Sequence, residues 1–272
     1  MNLAPDPTRP AVRARPVIGV GWLARAGKDS VASILVRDFG FSRYAFADQM
    51  KEALAGLDPF LDGTTTVSTA GGIDVASRGR TTGAEVERLR ESLSTLVLPD
   101  WLGFPDVDAA TVDAIITSLD PRLDGTSTLS DRIDADGWEG AKKHRVYASE
   151  VRGLMQRFGT DAIRGHLGDD VWVRALERAL VQDESLGGVY PVVISDVRAR
   201  VEAQWVHAQA GTVWEVRRPG IVAVNAHSSE FGLPSSMVDG VIENSGTLDD
   251  LAQTVATLVN ATFGASPARA AA

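Results

Sequence analysis

Residues 17–30 read VIGVGWLARAGKDS, and this stretch decides the fold. The apolar run Val17–Val20 predicts a short buried strand, and Ser30–Asp38 follows as an amphipathic helix. Gly27 and Lys28 lie between them, where backbone N–H groups and the helix dipole favour an anion. The stretch therefore predicts a loop that binds the phosphates of a nucleoside triphosphate.

The chemistry of this loop depends on a few residues. Lys28 is expected to reach the β- and γ-phosphates of ATP, and the hydroxyl of Ser30 is expected at a bound Mg²⁺. The spacing departs from G-x-x-x-x-G-K-[ST], because Trp22 stands at the first glycine position and Asp29 separates Lys28 from Ser30. A glycine turn with a solvated lysine is the alternative. The predicted donor-binding residues are Arg25, Ala26, Gly27, Lys28, Asp29 and Ser30.

Composition narrows the class of protein. The chain has 272 residues, a net charge of −9, 44% hydrophobic residues and no cysteine. Its apolar runs are too short for a membrane span, and the absence of cysteine excludes disulfides and thiolate metal sites. Negative charge disfavours nucleic acid as a partner. We expect a cytoplasmic protein, in the host cytoplasm if a phage encodes it, with flexible tails at 1–16 and 264–272.

Strand and helix patterns alternate along the chain, which predicts a three-layer α/β fold with a mostly parallel sheet. An insertion or lid is expected at about 60–147, within a phosphate-loop domain at 17–263. The predicted strands are Val17–Val20, Arg43–Ala47, Val192–Ile194 and Thr212–Val216. The predicted helices are 30–38, 48–57, 84–96, 149–164, 170–180 and 197–209, with Gly40 ending the first and Thr247 capping the last.

Several later blocks resemble one family of kinases. They are FADQMKEAL at 46–54, VRGLMQRFGTDAIR at 151–164, DDVWVRAL at 169–176, VVISDVRARVEA at 192–203, VRRPG at 216–220, HSSEFGLP at 227–234 and VIENSGTLDDL at 241–251. With ARAGKDSVA at 24–32, they resemble the phage-type deoxynucleoside monophosphate kinases in family order. The resemblance implies an adenylate-kinase-like phosphate-loop fold. It also implies transfer of the ATP γ-phosphoryl group to a deoxynucleoside monophosphate.

The resemblance also implies an acceptor site. Lys51 matches a basic position near the acceptor, and Trp172 matches an aromatic residue that can stack on the base. Arg78 or Arg80 falls in the loop that clamps the acceptor phosphate. Ordinary structural roles remain open for each of these. Gln156, Gly159 and Thr160 match positions that line the acceptor nucleotide.

Asp196, Arg198 and Glu202 match the family's D-x-R-x-x-x-E pattern. Asp196 is expected just past the carboxyl end of a buried strand, where α/β sheets place ligands. There it can orient a magnesium-bound water or an acceptor group. Arg198 can neutralise charge on the transferred phosphoryl group. Glu202, one turn later, either holds Arg198 or contacts the sugar.

Other functions stay open at this point. Arg217 or Arg218 can close over the donor or simply be exposed, and His227 favours a structural role. The alternatives to a dNMP kinase are a kinase acting on hydroxymethylated bases in DNA, a dephospho-coenzyme A kinase, and a regulatory module without turnover. No membrane partner is expected, and a homodimer is one option the sequence leaves open.

Overall fold

The structure is a computed structural model that describes residues 15–21, 23, 25–61, 83–121, 127–188, 190–221 and 233–264. Trp22, Arg78, Arg80 and His227 therefore lie outside the described residues. The chain divides into two compact units. The first comprises 1–48 with 173–272, and the second comprises 49–172.

The first unit is built on a parallel sheet of five strands. They are β1 (Val17–Gly21), β2 (Ser42–Tyr44), β3 (Val192–Val197), β4 (Thr212–Arg217) and β5 (Gly240–Glu243). The spatial order is β2-β3-β1-β4-β5, and every neighbouring pair is parallel. β1 is therefore central, and the loop that follows it leaves from the middle of the sheet. The predicted α/β fold with a mostly parallel sheet is confirmed.

Helices cover both faces of the sheet. The helices of the first unit are α1 (Lys28–Phe39), the start of α2 (Phe46–Leu57), most of α7 (Val171–Ser185), α8 (Arg200–Ala208) and α9 (Leu248–Phe263). Ile18 and Val20 of β1 share one core with α1 and α9. Gly19 points the other way, because a Cβ there would lie 3.1 Å from Val206 of α8. Alternation along β1 thus separates the two helical layers.

The helix ends follow the sequence signals. Gly40 ends α1 in the left-handed conformation at φ 70°, and its N–H donates to the carbonyls of Leu35 and Val36. Thr247 and Asp250 form the predicted capping box at the start of α9. Leu248, the first residue of α9, is 69% exposed, and the buried residues of the helix are Leu251, Val255 and Val259.

The second unit is helical in its described part. Its elements are the rest of α2, α3 (Gly83–Ser92) with a π-helical continuation Leu93–Leu102, α4 (Ala109–Leu119), α5 (Leu129–Ala141), and α6 (Ala148–Gln156) with a π-helical continuation Arg157–Arg164. Pro99 lies inside the first continuation. A proline cannot donate the backbone hydrogen bond of an α-helix, and the wider π-helical turn accommodates this loss. Both π-helical continuations were missed by the sequence patterns.

Three predicted boundaries near the sheet are wrong. β2 ends at Tyr44, so Phe46 already belongs to α2. β3 runs on to Val197, because Val197 pairs with Gly21 after an irregularity in β1. Asp196 therefore lies within β3 rather than after it, and α8 begins only at Arg200.

Candidate functional site

The loop after β1 turns sharply into α1. Arg25 has a positive φ of 67°, and Gly27, the residue before α1, has a φ of 107°. Only glycine adopts the second conformation without strain. The turn places Lys28 and Ser30 in the first helical turn of α1, where the backbone N–H groups have no helical acceptor. Of the other predicted loop residues, Ala26 is buried and Asp29 is exposed.

Lys28 is enclosed by its own loop. It is 7% exposed, and its Nζ donates to the carbonyl oxygen of Leu23 at 2.9 Å. Burial lowers the pKa of the Lys28 ammonium, and the positive charge of Arg198 lowers it further, while Asp29 and Asp196 oppose the shift. The charge of Arg198 therefore acts on the Lys28 ammonium at the N-terminus of α1. An anionic group there would relieve the repulsion between the two cations.

Asp196 joins β3 to the start of α2. Its two carboxylate oxygens accept hydrogen bonds from the backbone N–H groups of Phe46 at 2.9 Å and Ala47 at 2.8 Å. Burial raises the pKa of Asp196, and these two backbone donors oppose the rise. The carboxylate thus serves as a helix cap in this state, a contact the sequence did not reveal.

Glu202 holds the backbone of Arg198. The Glu202 side chain is 4% exposed, and its Oε2 accepts from the N–H of Arg198 at 2.7 Å and of Ala199 at 2.9 Å. This is the cap of α8. The expected contact with Arg198 therefore exists, but it goes through the main chain. The Arg198 side chain itself is exposed.

A cavity of about 470 Å³ opens beside the loop. Leu23 and Ala26 line one side, and the end of β4, the turn Arg218–Pro219 and Glu243 of β5 line the others. The Arg217 guanidinium donates two hydrogen bonds, of 2.5 and 2.8 Å, to the buried carboxylate of Glu215. Arg217 and Arg218 thus border the cavity, and both are exposed, so the two roles left open by the sequence stay open.

Asn244 was not singled out from the sequence, although it lies within the block VIENSGTLDDL. It follows β5 directly, and its side-chain Nδ2 donates to the carbonyl of Ala26 at 2.8 Å. The partners are 218 residues apart, so no local pattern signals the contact.

The second unit contains five of the predicted acceptor residues in its described part, namely Lys51, Gln156, Gly159, Thr160 and Trp172. Lys51 lies on α2 and is half-buried, and its positive charge contributes to lowering the pKa of Glu139 after Lys142, the main cause. Gln156 ends α6 and is exposed, and Thr160 is exposed on the π-helical continuation. Gly159 lies against α2, because a Cβ there would be 3.4 Å from Cγ of Met50.

Trp172 does not present its ring to a base. It is 3% exposed, its Nε1 donates to the carbonyl of Gly159 at 3.0 Å, and its ring packs 6.0 Å from that of Phe158. The expectation that it stacks on the nucleotide is therefore wrong for this conformation. The indole instead fixes the backbone between Gln156 and Thr160.

Metal ligands are scarce. Within the described ranges, no group of three or more His, Cys, Asp or Glu side chains could hold a metal ion. A magnesium ion bound mainly by nucleotide phosphates needs only one or two protein ligands, so Ser30 in the first turn of α1 fits such an ion.

Among the residues that the structure describes, no helix is both long and apolar enough to cross a membrane.

Comparisons with known proteins found similarity to one kind of kinase. A family model described as deoxynucleotide monophosphate kinase matches residues 135–255. The deoxynucleotide monophosphate kinase of Escherichia phage RB69 is 25% identical over 245 residues, which cover 86% of this chain and 96% of that protein. The enzyme of the same name from Enterobacteria phage T4 is 35% identical over 101 residues, 37% of this chain, and the match spans only 42% of its length. These matches confirm the predicted family resemblance and support a kinase function.

Proposed function

We propose that this relative of the deoxynucleotide monophosphate kinases transfers the γ-phosphoryl group of ATP to a deoxynucleoside 5′-monophosphate. The observation that carries the proposal is the loop after β1, which holds the buried ammonium of Lys28 at the N-terminus of α1 through a bond to the carbonyl oxygen of Leu23. A buried cation and a helix end form a site for the charge of a phosphoryl group in transfer. The family match over residues 135–255 adds the acceptor class.

The donor region consists of the loop Leu23–Ser30, the end of β3, and the ends of β4 and β5. Lys28 binds the β- and γ-phosphates of ATP together with the backbone N–H groups at the start of α1. Its bond to the Leu23 carbonyl breaks when the nucleotide enters. The adenosine part of ATP occupies the cavity of about 470 Å³ next to Leu23 and Ala26.

Magnesium has a place in this arrangement. The Ser30 hydroxyl would hold the ion together with the phosphates of the nucleotide. A bound ion would supply positive charge against the negative charge that develops on the phosphates during transfer.

The transfer needs little covalent chemistry from the protein. An oxygen of the acceptor phosphate forms a bond to the γ-phosphorus, the bond from that phosphorus to the β–γ bridging oxygen breaks, and ADP leaves with the electron pair. The acceptor is already ionised, so no general base is required. Arg198 stabilises the transferred group. Glu202 fixes the backbone of Arg198, and Asp196 fixes the backbone at Phe46 and Ala47.

The acceptor region consists of Lys51 and Gln156–Thr160, all within the second unit. Lys51 supplies positive charge for the monophosphate, and the exposed Gln156 and Thr160 side chains supply hydrogen bonds to the base or sugar. Arg78, which lies outside the described residues, is proposed to bind the phosphate of the acceptor.

One assay tests the proposal. The protein is incubated with Mg-ATP and, in separate reactions, each of the four common dNMPs, hydroxymethylated DNA and dephospho-coenzyme A, and ADP release is followed. We expect release only with monophosphates. ATP binding without transfer to any acceptor would favour a regulatory module, and transfer to DNA or dephospho-coenzyme A would replace the proposed acceptor.

A further inference from the structure

We propose that Asn244 is a positioning residue for the donor phosphates, because its side-chain amide fixes the orientation of the Ala26–Gly27 peptide. The inference rests on the proposed function only in that the loop after β1 binds a polyphosphate. It assigns a role to the chain beyond β5, which lies far from the loop in sequence.

The contact is anchored at both ends. The Asn244 backbone N–H donates to the carbonyl of Arg217 at 2.7 Å, which continues the pairing of β5 with β4. This bond fixes the main chain of Asn244, and Nδ2 then donates to the Ala26 carbonyl at 2.8 Å. Because the partner is a carbonyl oxygen, the amide must present its NH₂ group there.

Peptide geometry carries the consequence to the phosphate site. No peptide bond among the described residues is cis, and in a planar trans peptide the C=O and the following N–H point in opposite directions. Since the Ala26 carbonyl faces Asn244, the Gly27 N–H faces away from it. In the proposal, that is the side on which the phosphates bind. A reversed peptide would turn a carbonyl oxygen toward the phosphates and repel them.

Close packing strengthens the constraint. A Cβ on Gly27 would lie 2.3 Å from Nδ2 of Asn244, so the amide rests directly against this residue. Gly27 has no Cβ and adopts a φ of 107°, so its backbone can rotate through conformations that other residues avoid. Asn244 therefore removes freedom from the one loop residue that has most of it.

The test uses two variants and a neighbouring control. Asn244→Leu keeps a similar side-chain size without a donor, and Asn244→Ala removes both the donor and the bulk. Ser245→Ala, at the adjacent exposed position, is the control. Affinity for inorganic tripolyphosphate and for a dNMP is measured by calorimetry, and the Gly27 amide is followed by ¹⁵N NMR during the tripolyphosphate titration.

We expect both Asn244 variants to bind tripolyphosphate about tenfold more weakly, because the hydrogen bond that orients the Ala26–Gly27 peptide is lost. The Gly27 amide shift on titration should shrink, while dNMP affinity and the Ser245→Ala protein stay as in the wild type. Wild-type tripolyphosphate affinity and an unchanged Gly27 shift in either folded variant would overturn the proposal. So would an equal loss of dNMP affinity, which indicates a general structural role.

Tripolyphosphate binding needs no turnover, so the two proposals fail separately. If the wild type binds tripolyphosphate in an Asn244-dependent way but phosphorylates no dNMP, the role of Asn244 stands and the proposed activity is wrong. If dNMPs are phosphorylated and the variants bind tripolyphosphate normally, only the role of Asn244 is wrong.

Discussion

The donor and acceptor regions are built in different ways. In the donor region, the side chains of Asp196, Glu202 and Asn244 hold the main chain through hydrogen bonds to backbone atoms, and those of Asp196 and Asn244 join residues 150 and 218 positions apart. In the acceptor region, Gln156 and Thr160 are exposed. Under the proposed function, this contrast predicts that the phosphates are recognised through a preorganised backbone and the acceptor through side chains. Substitutions should therefore separate the two regions by their effects on stability and on substrate affinity.

The largest effect is expected at Lys28. Lys28→Ala should lower kcat/KM by roughly a hundred- to a thousandfold, because it removes a buried cation aimed at the developing phosphoryl charge. The circular dichroism spectrum should stay that of the wild type. Lys143→Ala, an exposed lysine of the second unit, is the matched control and should retain full activity. Substantial turnover by Lys28→Ala would contradict the donor site.

Asp196→Asn tests whether this residue acts mainly through the backbone. Asparagine offers one acceptor oxygen where two N–H groups donate, so the free energy of unfolding should fall by about 1–3 kcal/mol in urea titrations. Asp48 lies on the same helix, α2, and pairs at the surface with Arg43 of β2, so Asp48→Asn should lose less than about 1 kcal/mol. Unchanged stability together with lost activity would instead make Asp196 a catalytic group.

A smaller, selective effect is expected in the acceptor region. Gln156→Ala should raise the KM for the dNMP about tenfold, through loss of one hydrogen bond, with the KM for Mg-ATP unchanged. Stability should not move, because Gln156 is exposed. Steady-state kinetics with each substrate varied in turn provides the measurement, and Asp161→Ala serves as an exposed control. A matching rise in the ATP KM would break the distinction between the two regions.

The smallest effect concerns Tyr44 on β2. Its hydroxyl donates to Asp183 at 2.6 Å, and burial, followed by this bond, raises the pKa of Tyr44 to about 12. A raised pKa means that the folded state holds the proton more tightly. The associated stability is therefore present below the unfolded-state pKa of about 10 and is lost as the pH rises toward 12.

Tyr44→Phe should remove this alkaline loss, along with less than about 1 kcal/mol of stability at neutral pH, since solvent screens the half-buried pair. Ultraviolet titration of the phenols and urea unfolding at several pH values provide the measurements. Titration of all three tyrosines near pH 10 would show that the bond to Asp183 does not form.

Local signals in the sequence predicted much of the fold. The strand before Gly27, the glycine cap at Gly40 and the capping box at Thr247 depend on residues a few positions apart, and the structure confirms each of them. The π-helical continuations were not predictable in this way, since helix periodicity alone does not distinguish a wider turn. The strand β5 is short and half-exposed, so its pattern was weak.

The site was predicted less completely, for a physical reason. The sequence motif identified Asp196 but not Asn244. It revealed the hydrogen bonds of neither residue, because these bonds join residues 150 and 218 positions apart. Only the folded sheet brings such partners together. Trp172 shows the same limit, because an aromatic residue in a family motif gives no sign of whether its ring lies in the core or against a ligand. The roles of Lys28, Arg198 and Gln156 remain predictions.

The central claim is phosphoryl transfer from ATP to a deoxynucleoside monophosphate through the Lys28 loop. The most direct measurement is ³¹P NMR of a reaction containing Mg-ATP carrying ¹⁸O in its γ-phosphoryl group, one dNMP and the wild-type protein, with Lys28→Ala run in parallel. The account predicts that the label appears in the β-phosphoryl group of the dNDP, with one labelled dNDP for each ADP formed. Lys28→Ala should form almost no labelled dNDP. ADP formed with the label released as inorganic phosphate, or equal transfer by Lys28→Ala, would contradict it.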